Sequence, residues 1–298
     1  MRRLLLQVLL VAFGLAGCVS APLPQISPPA TVTVPAVQRK PLKIGLALGG
    51  GAARGFAHIG VIQVLEEAGY RPSLVVGTSA GSVVAAIYAS GKNGAELQKV
   101  ALAMEESTFA DWALPIFSRG MLRGEALARY VSAQVHGRPI ENMSVPLGVV
   151  ATDLNSGEGV LFQRGDTATA VRASSAVPAL FQPVRIGGRE FVDGGLVSPV
   201  PVRYARQMGS DLIVAVDISS VPQSNAANDT LEIMLQSFSI MGKSINAFEL
   251  RDADVVVRPA LRAVGSSDFG ARQQAIEAGR VAMTAALPSL KAAIRARE

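Results

Sequence analysis

The chain has 298 residues, of which 49% are hydrophobic and 17% are charged, a balance that is typical of a globular protein with a well-filled core and excludes a disordered chain. The formal charge of +5 falls to 26 − 23 = +3 when Arg2 and Arg3 are removed with residues 1–17. The sequence has no basic run or ladder of aromatic residues, so it does not predict a nucleic-acid-binding protein.

The first 17 residues have the pattern of a secretory signal peptide. Two arginines precede the apolar run Leu4 to Ala16, which is shorter than the roughly 20 residues that a membrane-spanning helix needs. The segment ends in Leu15-Ala16-Gly17-Cys18, which resembles the lipobox of bacterial lipoproteins. That resemblance implies that Cys18, the single cysteine, becomes the lipidated first residue of the mature protein. The alternative is an incidental cysteine beside a simple cleavage site.

A proline-rich segment follows the cysteine. Residues 18–42 contain six prolines and almost no charge, so they cannot build a core and are expected to form an extended tether. Val19 stands where an aspartate would favour retention in the inner membrane, so the lipobox resemblance implies an outer-membrane lipoprotein that faces the periplasm. The tether would keep the folded body close to that membrane.

From Lys43 onwards, short apolar strands alternate with helical patterns. The predicted strands cover residues 44–48, 74–76, 147–152, 160–162, 190–192, 211–217 and 255–257. The predicted helices cover residues 56–68, 80–89, 94–106, 124–135, 166–175, 230–248 and a final stretch from about 271. This alternation predicts an α/β domain with a mostly parallel sheet that is covered by helices on both faces.

The first candidate for chemistry is the loop Gly49-Gly50-Gly51-Ala52-Ala53-Arg54-Gly55, between the first strand and the first helix. Several backbone N–H groups converge at such a loop, which can bind a phosphate or stabilise an oxyanion. A dinucleotide-binding loop would have glycine at Ala52, and a P-loop would continue with Lys-Ser or Lys-Thr. On its own, the loop is a weak signal.

The second candidate is Gly77-Thr78-Ser79-Ala80-Gly81, which fits the G-x-S-x-G pattern between a strand and a helix. A sharp turn there forces the serine into a strained backbone conformation, and its neighbours two positions away must lack side chains. We therefore interpret Ser79 as a nucleophile, with Gly77 and Gly81 forming its elbow. The alternative is a plain glycine-rich turn.

The base that would activate Ser79 is not an obvious histidine. The serine–acid–histidine order of α/β-hydrolases requires a late histidine, and none follows residue 136. We interpret His58 as a helix-packing residue and His136 as a solvated residue at a helix end. Asp193, which follows the predicted strand 190–192 and precedes two glycines, is the candidate base, although Asp-Gly alone is often only a turn.

Taken in this order, the glycine loop with Arg54, Gly-Thr-Ser79-Ala-Gly and Asp193-Gly-Gly resemble the patatin-like phospholipases. Residues 46–60 more closely resemble the bacterial and neuropathy-target-esterase branch. The resemblance covers about residues 43–202, which we take as the catalytic core, with residues 203–298 as the C-terminal part of the same α/β domain. It implies a three-layer αβα patatin-like fold.

The resemblance also implies roles for individual residues. Ser79 would attack an ester carbonyl, Asp193 would accept its proton, and backbone amides around Gly50, Gly51 and Ala52 would form the oxyanion hole. Ala52 departs from the usual glycine and adds a methyl group near that hole. We group Arg54 with this oxyanion hole, where it would support the loop or the substrate phosphate, and a structural role is the alternative.

The implied activity is hydrolysis of membrane phospholipid or another lipid ester, without a metal or a cofactor. The alternatives are an acyltransferase on a related fold and a catalytically silent lipid-binding lipoprotein, although the latter would be expected to have lost Ser79 or Asp193. Residues 104–124 contain several large apolar side chains and are interpreted either as a lid or membrane-contacting segment or as an ordinary part of the core.

Overall fold

The computed structural model describes residues 41–104, 111, 119–219 and 229–297. Cys18, the predicted tether up to residue 40 and most of the predicted lid therefore lie outside the described residues. The described strands are β1 Ile44–Leu48, β2 Leu74–Thr78, β3 Gly120–Leu122, β4 Leu147–Asp153, β5 Gly159–Phe162, β6 Ala179–Phe181, β7 Val184–Ile186, β8 Arg189–Asp193, β9 Leu212–Val216 and β10 Val255–Val257.

Helices separate most of these strands along the chain. They are α1 Ala57–Glu67, α2 Ala80–Ala89, α3 Gly94–Leu102, α4 Glu125–Val135, α5 Thr167–Ser174, α6 Val202–Gln207, α7 Thr230–Glu249 and α8 Arg272–Arg295. Local signals set several of their ends. Asn93, for example, accepts a hydrogen bond from the amide of Glu96 and donates its own amide to the Glu96 carboxylate, so that a capping box begins α3.

Eight of the described strands form the central sheet, in the order β10-β9-β1-β2-β4-β8-β7, with β5 also paired to β4. The strands from β10 to β4 are parallel, and they are continuous apolar runs because helices cover both of their faces. At the other edge, β5, β7 and β8 pair in antiparallel fashion. The predicted three-layer αβα architecture with a mostly parallel sheet is confirmed.

The two faces of the sheet pack against different layers. Leu46 and Leu48 belong to the larger hydrophobic cluster, which includes side chains of α1, α2, α4, α5 and α8. Ala47, between them in the sequence, points to the opposite face and a smaller cluster with α6. This alternation fixes the register of β1, since a shift of one residue would exchange the two sets of side chains.

Three short strands, β3, β6 and β7, were not predicted from the sequence. Each has three residues, too few for alternation of polar and apolar side chains to show. The antiparallel direction of β8 was also not predicted, because hydrophobic periodicity does not encode strand direction. Among the described helices, none is both long and apolar enough to span a bilayer.

Candidate active site

Ser79 occupies a sharp turn between β2 and α2. Its φ of 52° and ψ of −125° lie outside the usual regions for a residue with a side chain. The flanking glycines leave no room for substitution, since a Cβ at Gly77 would lie 2.4 Å from the carbonyl oxygen of Gly81. A Cβ at Gly81 would lie 2.1 Å from the carbonyl oxygen of Leu48. The turn therefore depends on glycine at both positions.

Hydrogen bonds hold the strained serine from both sides. Its amide donates to the hydroxyl of Ser174 at 2.9 Å, and that hydroxyl donates to the carbonyl of Val150 at 2.5 Å. Its carbonyl accepts from the amide and the hydroxyl of Ser82, at 2.8 and 2.6 Å. Strain of this kind costs on the order of 1–3 kcal/mol and persists only where the surroundings impose it. Ser174 was not identified from the sequence, because no local pattern links it to a residue 95 positions earlier.

Asp193 reaches the same region by way of β4. Thr78 pairs with Val150 of β4, and the next residue of that strand, Ala151, pairs with Asp193. Ser79 and Asp193 therefore stand at the same level on the two sides of β4. Although β8 runs antiparallel, its pairing is confined to the end of β4, and this places Asp193 at the carboxyl end of the parallel strands.

The Asp193 carboxylate is buried and only partly hydrogen-bonded. Its Oδ1 accepts the amide of Gly195 at 2.7 Å, whereas Oδ2 is buried without a hydrogen-bond partner among the described residues. Burial raises the pKa of Asp193 to about 6, and the Ser79 hydroxyl and the Gly195 amide partly oppose that rise. The Ser79 hydroxyl thus lies near enough to act on this pKa, but outside the geometry of a formed hydrogen bond, which is common for catalytic pairs without substrate.

The glycine loop after β1 lies directly against Ser79. A Cβ at Gly50 would be 3.1 Å from Ser79 Cβ and 3.9 Å from its Oγ. The amide of Gly50 already donates to the carbonyl of Pro199 at 2.9 Å, so it is not a free oxyanion donor. By contrast, the amides of Gly51 and Ala52 have no acceptor among the described residues. Of the three residues whose backbone amides were predicted to form the oxyanion hole, only these two have an available N–H group among the described contacts.

The glycine loop is also locally strained, and a buried histidine of α1 contacts its first residue. Ala52 has a left-handed backbone with a φ of 50°, which explains why glycine would be the easier residue there. His58, fully buried in α1, contacts the carbonyl of Gly49 through Nε2 at 2.8 Å. Burial lowers the pKa of His58 to about 4, so the ring is neutral at pH 7 and its Nε2–H donates to that carbonyl. The packing histidine thus also fixes the start of the loop.

Arg54 has a supporting position. Its side chain is buried, its Nε donates to the carbonyl of Val264 and its guanidinium donates to the Ser266 hydroxyl, both at 3.0 Å. The neighbouring amide of Ala53 donates to the Ser266 carbonyl at 3.0 Å. These contacts tie the glycine loop to residues 264–266. We therefore correct the prediction that grouped Arg54 with the oxyanion hole, and favour its structural interpretation.

Two threonines join the segments that carry Ser79 and Asp193. Thr78 Oγ1 donates to the carbonyl of Ser198 at 2.9 Å, and Thr152 Oγ1 donates to the carbonyl of Asp193 at 2.8 Å. Both hydroxyls are buried, and no sequence pattern predicted either contact. His136, the other histidine, is exposed at the end of α4 with a φ of 56° and takes no part in these contacts.

The described residues contain no group of three or more histidine, cysteine, aspartate or glutamate side chains placed to hold a metal ion. What the described site brings together is a strained serine, a buried carboxylate of raised pKa and two available backbone amides. Such a set can attack a carbonyl carbon, accept a proton and stabilise the resulting oxyanion.

Comparison with known proteins identifies a family and several relatives of this chain. The family model described as patatin-like phospholipase matches residues 46–206, which is 161 of 298 residues. An uncharacterised NTE family protein of Mycobacterium bovis is 36% identical over 206 residues, covering 69% of this chain and 57% of that protein. The mouse patatin-like phospholipase domain-containing protein 6 is 30% identical over 231 residues, covering 75% of this chain but 16% of that protein.

Among solved structures, VipD from Legionella pneumophila is similar in fold, with a TM-score of 0.55 at 16% identity, covering 84% of this chain and 67% of that one. The chain spans 57% of the length of the Mycobacterium bovis relative described above and 46% of a second uncharacterised NTE family protein of that organism, to which it is 29% identical.

Proposed function

This chain belongs to the patatin-like phospholipase family, and on that premise we propose that it hydrolyses lipid acyl esters with Ser79 as nucleophile and Asp193 as base. One observation carries the proposal: a buried carboxylate, one oxygen of which has no hydrogen-bond partner in the described part of the chain, lies beside a serine held in a strained turn. Besides a nucleophile and a base, acyl transfer requires stabilisation of the oxyanion, and the available amides of Gly51 and Ala52 would supply it.

In the first half of the reaction, Ser79 Oγ forms a bond to the ester carbonyl carbon while its proton passes to Asp193. The negative charge that develops on the carbonyl oxygen is stabilised by the amides of Gly51 and Ala52. The tetrahedral intermediate then collapses, the carbon–oxygen bond to the alcohol breaks, and Asp193 returns the proton to the leaving oxygen. The products of this half are a free alcohol and an acyl-enzyme.

In the second half, water attacks the acyl-enzyme and gives its proton to Asp193. Collapse releases the fatty acid, and the proton returns to Ser79 Oγ. An ordinary carboxylate is a weak base for these steps, and burial that raises the pKa of Asp193 to about 6 makes it a stronger one while leaving it mostly ionised at pH 7. We expect kcat/KM to fall about tenfold per pH unit below pH 6, as Asp193 becomes protonated.

The direct test is labelling with a fluorophosphonate probe, followed by mass spectrometry of the modified peptide. Adduct on Ser79, and its absence in Ser79→Ala, would support the proposal, and Ser79→Ala and Asp193→Asn should each lower kcat by about 10³-fold or more. Ser90→Ala is a matched control, because that hydroxyl lies just beyond the other end of α2 and bonds to the carbonyl of Ile87. A folded His136→Ala variant that lost activity as fully as Ser79→Ala would refute the dyad.

The same assay separates hydrolysis from the alternatives. An acyltransferase would form the Ser79 adduct but release free fatty acid only slowly, and an added acceptor would become acylated in its place. A silent lipid-binding protein would give neither adduct nor turnover. The lipid preference is tested by comparing phospholipid vesicles with short-chain nitrophenyl esters. If only the soluble esters were turned over efficiently, the protein would be a general esterase.

We also propose that the protein is an outer-membrane lipoprotein facing the periplasm, with residues 1–17 as its signal peptide and Cys18 as its lipidated residue. The support is the Leu15-Ala16-Gly17-Cys18 sequence and the proline-rich segment up to residue 42. Metabolic labelling with a fatty-acid analogue should mark the wild-type protein and leave Cys18→Ser unmarked. An unmarked wild-type protein in a bacterial host that processes lipoproteins would contradict the proposal.

A further inference from the structure

The helix α7 exposes an unusual amount of apolar surface. Nine large hydrophobic side chains are exposed in the described part of the chain, and five of them belong to α7. Ile233 and Ile240 are 54% and 51% exposed, Met241 is 48% exposed and Phe248 is 68% exposed. Only Asn246 and Glu249 are buried among its 20 residues. Isolated exposed apolar residues are ordinary, but a concentration of them on one element indicates a contact surface.

Four of these five side chains share one side of the helix, whereas Leu235 lies on the opposite side. Ile233, Ile240 or Met241, and Phe248 recur at intervals of seven or eight residues, which is two turns of an α-helix. Ser237 and Ser244 fall on the same side, and their hydroxyls donate to the carbonyls of Ile233 and Ile240 at 2.8 and 3.3 Å. We call these six residues the outer face of α7. Because the serine donors are satisfied within the helix, this face can leave water at low polar cost.

The opposite side of α7 packs on the loop of residues 194–201, which connects β8 to α6 and supports the candidate active site. The Ser198 hydroxyl donates to the Glu249 carboxylate at 2.6 Å, and a Cβ at Gly242 would lie 3.4 Å from the ring of Pro199. The backbone of this same loop accepts the hydroxyl of Thr78 and the amide of Gly50. The outer face is therefore carried by the structure that positions the nucleophile and the glycine loop.

Charge is distributed in a way that matches an anionic lipid surface. Lys243 is the only charged residue from 233 to 248, and it is exposed. Near the end of the helix, the exposed guanidinium of Arg251 lies 5.1 Å from the Phe248 ring. The acidic residues Asp229 and Glu232 are at the other end. An apolar stripe with cations at its rim is typical of a helix that lies in the plane of a membrane interface.

We propose that the outer face of α7 docks on a lipid bilayer, with Lys243 and Arg251 facing anionic head groups. The choice of a lipid bilayer as the partner rests on the proposed function. The substrate of a lipid-ester hydrolase lies in the bilayer, and the outer face of α7 is joined to the loop that supports the active site. Docking would place the helix flat in the interface, and its underside would hold the active-site loop close to the head groups.

The single cysteine of the chain permits a clean test. In the full chain with Cys18→Ser, Ile240→Cys is labelled with a solvatochromic dye and mixed with vesicles of phosphatidylcholine and phosphatidylglycerol. The matched control is Val281→Cys, which is on α8 and is 61% exposed. The dye at 240 should shift to shorter wavelength and be quenched by lipid-borne quenchers, while the dye at 281 should do neither. No shift at 240, or equal shifts at both positions, would overturn the proposal.

A second measurement uses turnover. Phe248→Ser combined with Ile240→Ser should raise the apparent KM for vesicles about tenfold, without changing kcat/KM for a short-chain soluble ester. Unchanged vesicle kinetics would contradict docking through this face. A dye shift that depends on protein concentration without vesicles, together with dimers in sedimentation, would replace the bilayer with a second copy of the chain. Failure of the proposed function is distinguishable, because it would abolish lipid turnover while leaving the vesicle-dependent dye shift.

Discussion

Two apolar helices adjoin the candidate site, and they differ in what surrounds them. In α2, eight of ten residues are buried, whereas in α7 two of twenty are buried. Apart from Tyr88, the buried apolar side chains of α2 are small or β-branched, whereas five large apolar side chains of α7 are exposed. Apolar side chains thus pack into the core in α2 and form an exposed surface on α7. We expect substitutions in α2 to affect the fold and those in α7 to leave it intact.

The largest difference in stability should come from replacing one glycine by alanine in each helix. Gly81→Ala places a Cβ 2.1 Å from the Leu48 carbonyl, so we expect a loss of about 3–4 kcal/mol in the free energy of unfolding, with loss of activity. Gly242→Ala in α7 meets its nearest atom at 3.4 Å and should gain about 0.5–1 kcal/mol from helix propensity. Urea unfolding of both variants measures the contrast. Equal stability of the two variants would show that the elbow is less constrained than its geometry indicates.

The second effect concerns the buried carboxylate. Because burial raises the pKa of Asp193 to about 6, above its ordinary value of 3.8, the folded state binds the proton more tightly than the unfolded state. The stabilisation from that proton is complete below pH 3.8 and is lost as the pH rises through 6. Asp193→Asn should therefore raise the free energy of unfolding at pH 8 by about 1–3 kcal/mol, with little gain at pH 4, while activity is lost.

The direction of this effect is checked by measuring the free energy of unfolding of Asp193→Asn and of the wild type at pH 4 and pH 8. Asp153→Asn is the control of opposite direction, because hydrogen bonds from the amide of Ser156 and the side chain of Arg189 lower the pKa of Asp153. Its removal should destabilise the protein at pH 8. An Asp193→Asn variant that was less stable than the wild type at pH 8 would mean that the ionised carboxylate is better solvated than its burial indicates.

Ser174 and Ser175 offer a smaller contrast between adjacent buried hydroxyls. Ser174→Ala removes the acceptor of the Ser79 amide, and we expect a loss of about 1–2 kcal/mol in stability and a decrease in kcat of about tenfold or more. The hydroxyl of Ser175 has no hydrogen-bond partner among the described residues, so Ser175→Ala should be neutral or slightly stabilising. Kinetics and thermal unfolding of the pair test the assignment. Equal kcat values for the two variants would contradict a positioning role for Ser174.

The smallest expected effect is at Ala52. Its φ of 50° is adopted more easily by glycine, so Ala52→Gly should cost little stability or gain up to about 1 kcal/mol. The amide that we assign to the oxyanion would remain, and kcat should change less than about threefold. A large decrease in kcat would indicate that the methyl group itself helps to orient the loop.

The sequence predicted what local patterns encode. The turn around Ser79 was predictable because glycine at 77 and 81 is a steric requirement within a few residues. The bond from Ser79 to Ser174, the contact of His58 with the glycine loop and the antiparallel direction of β8 depend on tertiary packing. Helical spacing placed α7 correctly, at residues 230–248 against Thr230–Glu249, but did not indicate that its apolar side chains would face outwards.

The position of β4 between β2 and β8 has a consequence for how such a protein can diverge. The relation of Ser79 to Asp193 is set by pairing across one strand, and the chain between β2 and β4 does not enter that register. Within residues 90–146, the described turns at 90–93 and 136–138 can therefore gain or lose length without displacing the two side chains. Natural variation in substrate range would be expected to accumulate in that stretch, while the lengths of β2, β4 and β8 stay constant.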